Sequence, residues 1–281
     1  MLTIHTNISV LDSVNNLHSS KTDLAKSVNS IASGKRINTA SDDGAGLSVA
    51  TRLTADQTSL NQAARNTNDA LGLVHTVEGT LDTLTNIAIR FRELSVQSLN
   101  DTYTTADRQL MLTEMQDLYV DWRRLSSDAE YNDIAVTSSN STLSFQVSKD
   151  GGAADAITVD LSDFQVSTIT AFTTVGNTAV SGTAVNSTTA ANNLRLIDRS
   201  IGLLGQMKAK AGSMQNRLEN AIGQSTAENN NLQAAQGRII DVNYASETAN
   251  MTRLQMQRQV SIASISQAKN IPVGLLALID P

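Results

Sequence analysis

The stretch from Leu53 to Leu84 reads LTADQTSLNQAARNTNDALGLVHTVEGTLDTL, and it decides the fold class of this chain. Apolar side chains recur at two positions of a seven-residue repeat. The first position is occupied by Leu53, Leu60, Val74 and Leu81, and the second by Ala64 and Leu71. A seven-residue apolar repeat over several heptads is typical of a helix that packs lengthwise against other helices. Since the stripe continues at Leu84, Phe91 and Leu94, the sequence predicts one helix over about residues 45–100.

A second heptad repeat occupies about residues 192–238. Its apolar members are Ile197, Leu204, Ala211, Leu218, Leu232 and Ile239. A third helix is predicted at 105–127, after a polar break. The only prolines are Pro272 and Pro281. None of these three helices therefore contains a proline, which would destabilise a helix interior by about 3 kcal/mol. At about 1.5 Å per residue the first helix would be roughly 80 Å long. We therefore expect a mainly α fold, a long coiled-coil helical hairpin that forms a rod.

The middle of the chain, residues 137–190, is rich in Ser and Thr and poor in charge. Two short runs alternate apolar and polar residues, LSFQV at 143–147 and ITVDL at 157–161. This pattern predicts a small β-hairpin. The remainder, 173–190, is predicted to be a surface connection, either a solvated loop or a glycosylated surface.

Both ends of the chain are amphipathic but only weakly apolar. Helices gain most of their stability by burying an apolar face, so we expect these ends to pack on each other and on neighbouring subunits. The side chains assigned to this inner coiled-coil packing are Ile4, Leu11, Leu24, Ile31, Met251, Leu254, Ile262 and Ile265.

Composition excludes several functional classes. The chain has no cysteine, its three histidines lie in no ligand-like spacing, and its net charge of −6 disfavours nucleic acid as a partner. The chain contains no run of eighteen apolar residues, so we expect no membrane insertion. Its N-terminus lacks the features of a cleaved signal peptide. We expect a self-assembling structural protein with no catalytic residue, metal or cofactor.

Six motifs carry a resemblance to a known family. They are SIASGKRINTASDDGAG at 30–46, LNQAARNTNDA at 60–70, EGTL at 78–81, IRFRELSVQS at 89–98, MQNRLE at 214–219 and ANMTRLQ at 249–255. In this order and at these distances they resemble the two conserved halves of bacterial flagellin, in a short form without outer variable domains.

The resemblance implies an organisation and a set of partners. Residues 1–44 and 241–281 would form an inner coiled-coil domain, and 45–240 would form the rod domain. The chain would polymerise into the extracellular flagellar filament after unfolded export through the filament channel by the type III apparatus. Flagellar cap and hook-junction proteins, and an export chaperone on 241–281, would be partners. A hook–filament junction protein is the alternative, and the paired motifs argue against a type III translocator.

Two groups of residues are candidate sites by resemblance. Arg90, Glu93, Leu94 and Gln97 lie on one helix face, and with Glu114 they resemble the patch through which Toll-like receptor 5 binds flagellin. The alternative is that Leu94 belongs to the core and that Arg90 and Glu114 form an ordinary solvated or intersubunit pair.

The second group resembles the spoke that connects the inner and outer helical regions. Its members are Gly34, Arg36, Asn38, Asp42, Asp43 and Gly46. We expect a turn followed by a helix N-cap, and this turn could also act as a compliant joint between subunits of the polymer.

Overall fold

The computed structural model consists mainly of long helices, which confirms the predicted fold class. It describes residues 8–152, 155–169, 172 and 187–279. Within these residues the helices are α1 (Ile8–Ser33), α2 (Gly44–Ser98), α3 (Thr105–Asp128), α4 (Ser187–Ile240) and α5 (Tyr244–Ile279). Ile4 and most of the predicted surface connection at 173–190 lie outside the described residues. None of the described helices combines the length and apolar character that a membrane span requires.

The chain divides into two compact units. The first unit draws on both ends of the chain, up to Gln57 and from Asn230 onward, and the second comprises Thr58–Asn229. Both boundaries fall inside helices, α2 and α4, whereas the domain boundaries expected from the sequence lie near residues 44 and 240.

In the first unit α1 packs against α5. The less exposed face of α1 follows a heptad pattern in which serines alternate with larger side chains, Val10, Ser13, Leu17, Ser20, Leu24, Ser27 and Ile31. On α5, over residues 244–268, the most buried side chains are Leu254 and Ala268, at 4% and 8% exposure. Because serine occupies three of these seven positions, the interface buries little apolar area for its length.

The core of the second unit forms where α2, α3 and α4 meet. Its largest contributors are Leu73, Leu81, Leu84, Phe91 and Leu94 from α2, Leu112, Met115, Tyr119 and Trp122 from α3, and Ile197, Leu204 and Leu218 from α4. Trp122 stacks on Phe172 with ring centroids 4.0 Å apart, and Phe91 meets the same ring edge-on at 5.1 Å. The single tryptophan is therefore a packing residue.

A capping box fixes the start of α3. The Thr104 hydroxyl accepts a hydrogen bond from the Asp107 backbone N–H, and the Asp107 carboxylate accepts one from the Thr104 N–H. The Thr104 hydroxyl also donates to the Asp107 carboxylate at 2.7 Å, and this hydrogen bond, followed by that from the Thr104 N–H, lowers the pKa of Asp107. Each partner satisfies a backbone donor that the first turn would otherwise leave free.

The predicted β-hairpin is present, with each strand one residue earlier than expected. Strands β3 (Thr142–Gln146) and β4 (Ala156–Asp160) pair antiparallel, with Leu143 opposite Val159. A smaller pair that the sequence did not reveal, β1 (Glu130–Tyr131) and β2 (Ile134–Ala135), precedes it.

Candidate assembly and recognition surfaces

The turn between α1 and α2 is tied to the segment between α4 and α5 by the backbone. Gly34 has φ of 71°, and its carbonyl accepts a hydrogen bond from the Val242 N–H at 3.0 Å. A Cβ at this glycine would lie 3.0 Å from the Tyr244 hydroxyl. The left-handed backbone and this close approach both favour glycine at position 34.

Arg36 connects this turn to the end of α4 through both its main chain and its side chain. Its N–H donates to the Ile240 carbonyl at 2.5 Å, and its Nη2 donates to the Ile239 carbonyl at 2.6 Å. These carbonyls belong to the last turn of α4, where helices leave acceptors without an intrahelical donor. The guanidinium therefore caps the end of α4.

Asp42 closes the same turn internally. Its carboxylate accepts hydrogen bonds from the backbone N–H groups of Asn38 and Thr39 and from the Thr39 hydroxyl, at 3.2, 3.0 and 3.0 Å. Because these donors stabilise the ionised form, with the Thr39 N–H contributing most, they lower the pKa of Asp42.

Asp43 begins α2. Its Oδ1 accepts a hydrogen bond from the Gly46 N–H at 2.8 Å, which is the contact of an N-cap residue. Gly46 is tightly enclosed, since an added Cβ would meet the Asp43 carboxylate and would lie 2.8 Å from the Ile37 methyl. The six residues predicted to form the spoke thus lie in one corner held by hydrogen bonds, in which Asn38 donates through Nδ2 to the Lys35 carbonyl.

The helices of the first unit leave large apolar side chains exposed. Among the side chains that the structure describes, these are Ile8, Leu11, Val14 and Val28 on α1 and Tyr244, Met256, Val260 and Ile262 on α5. Exposed fractions reach 68% at Val260. Such side chains on an extended helical surface indicate an interaction face.

The eight inner-packing candidates separate into three groups. Leu24, Ile31, Met251 and Ile265 are half-buried and Leu254 is buried. Leu11 and Ile262 are 57% and 50% exposed, so neither packs inside a single chain. Ile4 lies outside the described residues.

Arg90 joins α2 to α3 at the candidate recognition patch. Its Nε and Nη2 lie 2.8 and 2.7 Å from Glu114 Oε1, and its Nη1 lies 3.0 Å from Glu93 Oε2. The hydrogen bond to Glu114, followed by that to Glu93, raises the pKa of Arg90. All three side chains are roughly half exposed, so the cluster is an accessible, internally paired charge group.

Leu94 and Gln97 occupy different environments beside this cluster. Leu94 is 2% exposed and belongs to the core. Gln97 is exposed, and its Nε2 donates to the Tyr103 hydroxyl at 3.1 Å. The structure therefore brings Arg90, Glu93, Gln97 and Glu114 to one surface but turns Leu94 away from it.

Sequence reasoning missed the polar pairs between α2 and α4, among them Arg92 Nε with Asp198 Oδ1 at 2.6 Å. It also missed Tyr244, whose hydroxyl would lie 3.0 Å from a Cβ at Gly34. Neither has a local signature, because each pair joins residues far apart in the chain. Across the described ranges, no group of three or more His, Cys, Asp or Glu residues is placed to hold a metal ion.

Comparison with known proteins points to one family. The model of the bacterial flagellin N-terminal helical region matches residues 4–142, and that of the C-terminal helical region matches 194–279. Flagellin of Halalkalibacterium halodurans is 33% identical over 90% of this chain and 91% of its own length, and flagellin of Bacillus subtilis is 30% identical over 98% and 99%. A crystal structure of Bacillus cereus flagellin covers 61% of this chain and 94% of its own, at 22% identity and a TM-score of 0.48.

Proposed function

The chain belongs to the bacterial flagellin family as a short form, and from that premise we propose that it assembles through the outward apolar faces of α1 and α5 after unfolded export. Flagellins are structural subunits of the extracellular flagellar filament and not enzymes, so this chain polymerises with copies of itself into that filament for motility. What we propose concerns the route and the surfaces of that assembly.

The exposed apolar side chains of the first unit carry the proposal. Val260, Met256 and Leu11 are each more than half exposed in a single chain. Full burial of an exposed side chain of this size contributes about 1.5–3 kcal/mol, so covering the exposed part of each with neighbouring subunits would add a fraction of that energy per side chain and stabilise both helices. The serine-rich interface between α1 and α5 supports the same reading, because two weakly packed helices gain most from a partner.

Unfolded export fits the composition of the first unit. This unit combines the two ends of the chain, so it forms only when both ends are available together. We propose that it orders at the filament tip beneath the cap, and that the ordering cost becomes part of the assembly free energy.

The domains and partners follow the family pattern in this proposal. Residues 1–44 and 241–281 form the inner domain and 45–240 the rod domain, with the corner at Gly34–Gly46 as a compliant joint. An export chaperone binds 241–281 before export, where it would cover the apolar side chains of α5. The hook-junction proteins adjoin the first subunits of the filament.

A full-length variant separates assembly from export. Val260→Asp places a charge on the proposed assembly face, at a side chain that borders the groove between α1 and α5 and is 68% exposed, so the monomer should keep its helix content. We expect normal secretion into the medium by a cap-deficient strain, but no long filaments by electron microscopy in a strain that has the cap. Deletion of 241–281 should abolish both secretion and filaments.

Gln255→Asp is the matched control, since it adds the same charge at an exposed α5 position of polar character. It should assemble normally. Long filaments from Val260→Asp at the wild-type rate would refute the assigned face. Filaments from the deletion would refute the role of α5 as a whole.

The same assay addresses the alternative, a hook–filament junction protein. A junction protein should fail to form long filaments when it is purified alone, and few copies should be present per flagellum. If the purified wild-type chain, with no other flagellar protein, grows long filaments from seeds, it is a filament subunit and not a junction protein.

We further propose that monomers of this chain bind Toll-like receptor 5 through Arg90, Glu93, Gln97 and Glu114. The support is the half-exposed Arg90 cluster, which presents fixed charges on adjoining helices. Leu94 would act indirectly, since its burial positions α2 rather than offering a contact.

A further inference from the structure

A ladder of polar pairs runs along α2 and α4 in the second unit. We define the ladder by its four rungs, Asn61–Asn229, His75–Gln215, Asp82–Lys208 and Arg92–Asp198. The Asn61 Oδ1 accepts from Asn229 Nδ2 at 2.9 Å, and Gln215 Nε2 lies 3.2 Å from His75 Nδ1. The other two rungs are ion pairs of opposite polarity.

The rungs share one antiparallel register. From rung to rung the α2 partner rises by 14, 7 and 10 residues, and the α4 partner falls by the same 14, 7 and 10. The first two steps are whole heptads, so these rungs form one line beside the buried heptad stripe. Arg92 lies three residues beyond the next heptad position, within the reach of its long side chain.

The apolar stripe alone does not select this register. Heptad-spaced side chains such as Leu204, Ala211 and Leu218 on α4 meet an apolar stripe again after a shift of seven residues. Pairs of helices with uniform apolar repeats are known to need polar or charged positions to fix their register.

The charged rungs do distinguish the registers. If α4 were displaced by one heptad in either direction, Asp82 would face Gln215 or Ile201 in place of Lys208. Neither partner carries a positive charge, so the ion pair is lost both ways.

The other charged residues of the ladder also change partners. In the two displaced registers Arg92 would face Gly205 or Ala191, and Asp198 would face Leu99 or Thr85. Lys208 would face Ile89 or His75. In the register that sets Lys208 opposite His75, Lys208 would take the place of Gln215, which contacts Glu78 at 2.6 Å, so Lys208 would regain an opposite charge. That register still leaves Asp82, Arg92 and Asp198 without one, and the other displaced register restores none of the four charges.

We propose that the ladder specifies the register of α2 against α4, with Arg92–Asp198 discriminating against both displaced registers and Asp82–Lys208 adding the charge of Asp82 to that discrimination. Both pairs are about half exposed, so each contributes little to the free energy of unfolding. Their main effect is to favour one register over the displaced ones. A slip of one heptad would displace the surface of α4 by about 10 Å, which would misplace every contact that a polymer subunit makes through that helix.

Cross-linking can read the register directly because the chain has no cysteine. Asn61→Cys with Asn229→Cys reports the native register, and a short bismaleimide reagent should join the two. Asn61→Cys with Ile222→Cys reports a slip in one direction, and Asn68→Cys with Asn229→Cys reports a slip in the other. In the wild-type background we expect efficient joining only of the native pair.

Reversing the α2 charges tests the rungs. Asp82→Lys with Arg92→Glu sets like charges against Lys208 and Asp198, and the ratio of slipped to native cross-linking should rise about tenfold. Adding Lys208→Asp and Asp198→Arg should restore the wild-type ratio. The control is Asp69→Lys with Arg52→Glu, the same charge changes on α2 outside the ladder, which should leave the ratio unchanged.

A neutral variant guards against simple unfolding by repulsion. Asp82→Asn, Arg92→Gln, Lys208→Gln and Asp198→Asn together remove the discrimination without creating like-charge contacts, and slipped cross-linking should still rise. A wild-type ratio in this variant would overturn the proposal, as would a reversal that the compensating changes fail to correct.

Discussion

At the scale of single residues, the corner between α1 and α2 shows why particular side chains are required. Gly34 supplies a left-handed backbone under the Tyr244 hydroxyl, and Asp42 collects three donors from two neighbouring residues. Arg36 satisfies carbonyls at the end of α4. Each role follows from backbone groups that the turn would otherwise leave unpaired.

Gly34→Ala should destabilise the first unit by about 1–2 kcal/mol, because an L side chain disfavours φ of 71° and its Cβ would press on Tyr244. Thermal unfolding followed by circular dichroism measures the change. Gly34→Ala with Tyr244→Phe separates the causes, since it removes the hydroxyl and leaves the backbone penalty.

Gly79→Ala is the matched control. An added Cβ there meets no atom within 4 Å and the residue lies inside α2, so this change should stabilise by about 0.5–1 kcal/mol. Equal effects of the two substitutions would show that the corner does not need glycine.

At the scale of elements, some helix ends are fixed by local capping residues and others are fixed by packing. Polar residues mark the start of α2 at Asp43 and of α3 at Thr104. The sequence therefore predicted both starts to within a residue. The start of α4 differs more, Ser187 against an expected 192, since no capping signal distinguishes positions in a run of small polar residues.

Asp43→Ala should lower the stability of the first unit by about 1 kcal/mol, because it removes the acceptor for the Gly46 N–H at the first turn of α2. Chemical denaturation of the monomer measures this loss. Asp43→Ser should retain most of the stability, and Asp69→Ala, an exposed position within α2, serves as the control. No loss on Asp43→Ala would mean that the cap contributes nothing.

At the scale of the whole molecule, surfaces arise that no single element contains. The second unit brings Arg90 on α2 to Glu114 on α3, and the first unit sets both chain ends against each other while leaving apolar faces outward. Exposed apolar side chains also occur in the second unit, at Leu110 and Val120 of α3, so both units present apolar surface.

Arg90→Ala should weaken activation of a cell reporter for Toll-like receptor 5 at least tenfold when monomer is added, because it removes the charge that Glu93 and Glu114 hold in place. Arg65→Ala is the control, an exposed arginine that contacts only Gln62 among the described hydrogen bonds. A silent wild-type protein would refute the receptor proposal, and equal loss in both variants would refute the assigned patch.

The helices, the hairpin and the family can be predicted from the sequence, because heptad repeats, strand alternation, capping residues and contiguous motifs are all local patterns. Leu60, Val74 and Leu81 predicted the buried stripe of α2 in this way. The choice between burial and exposure for Leu94, beside the exposed Arg90, and the contact of Arg92 with Asp198 follow from the tertiary structure. These outcomes depend on which helix faces lie together and in which register, and the heptad repeat of the stretch Leu53–Leu84 is the same after every seven residues.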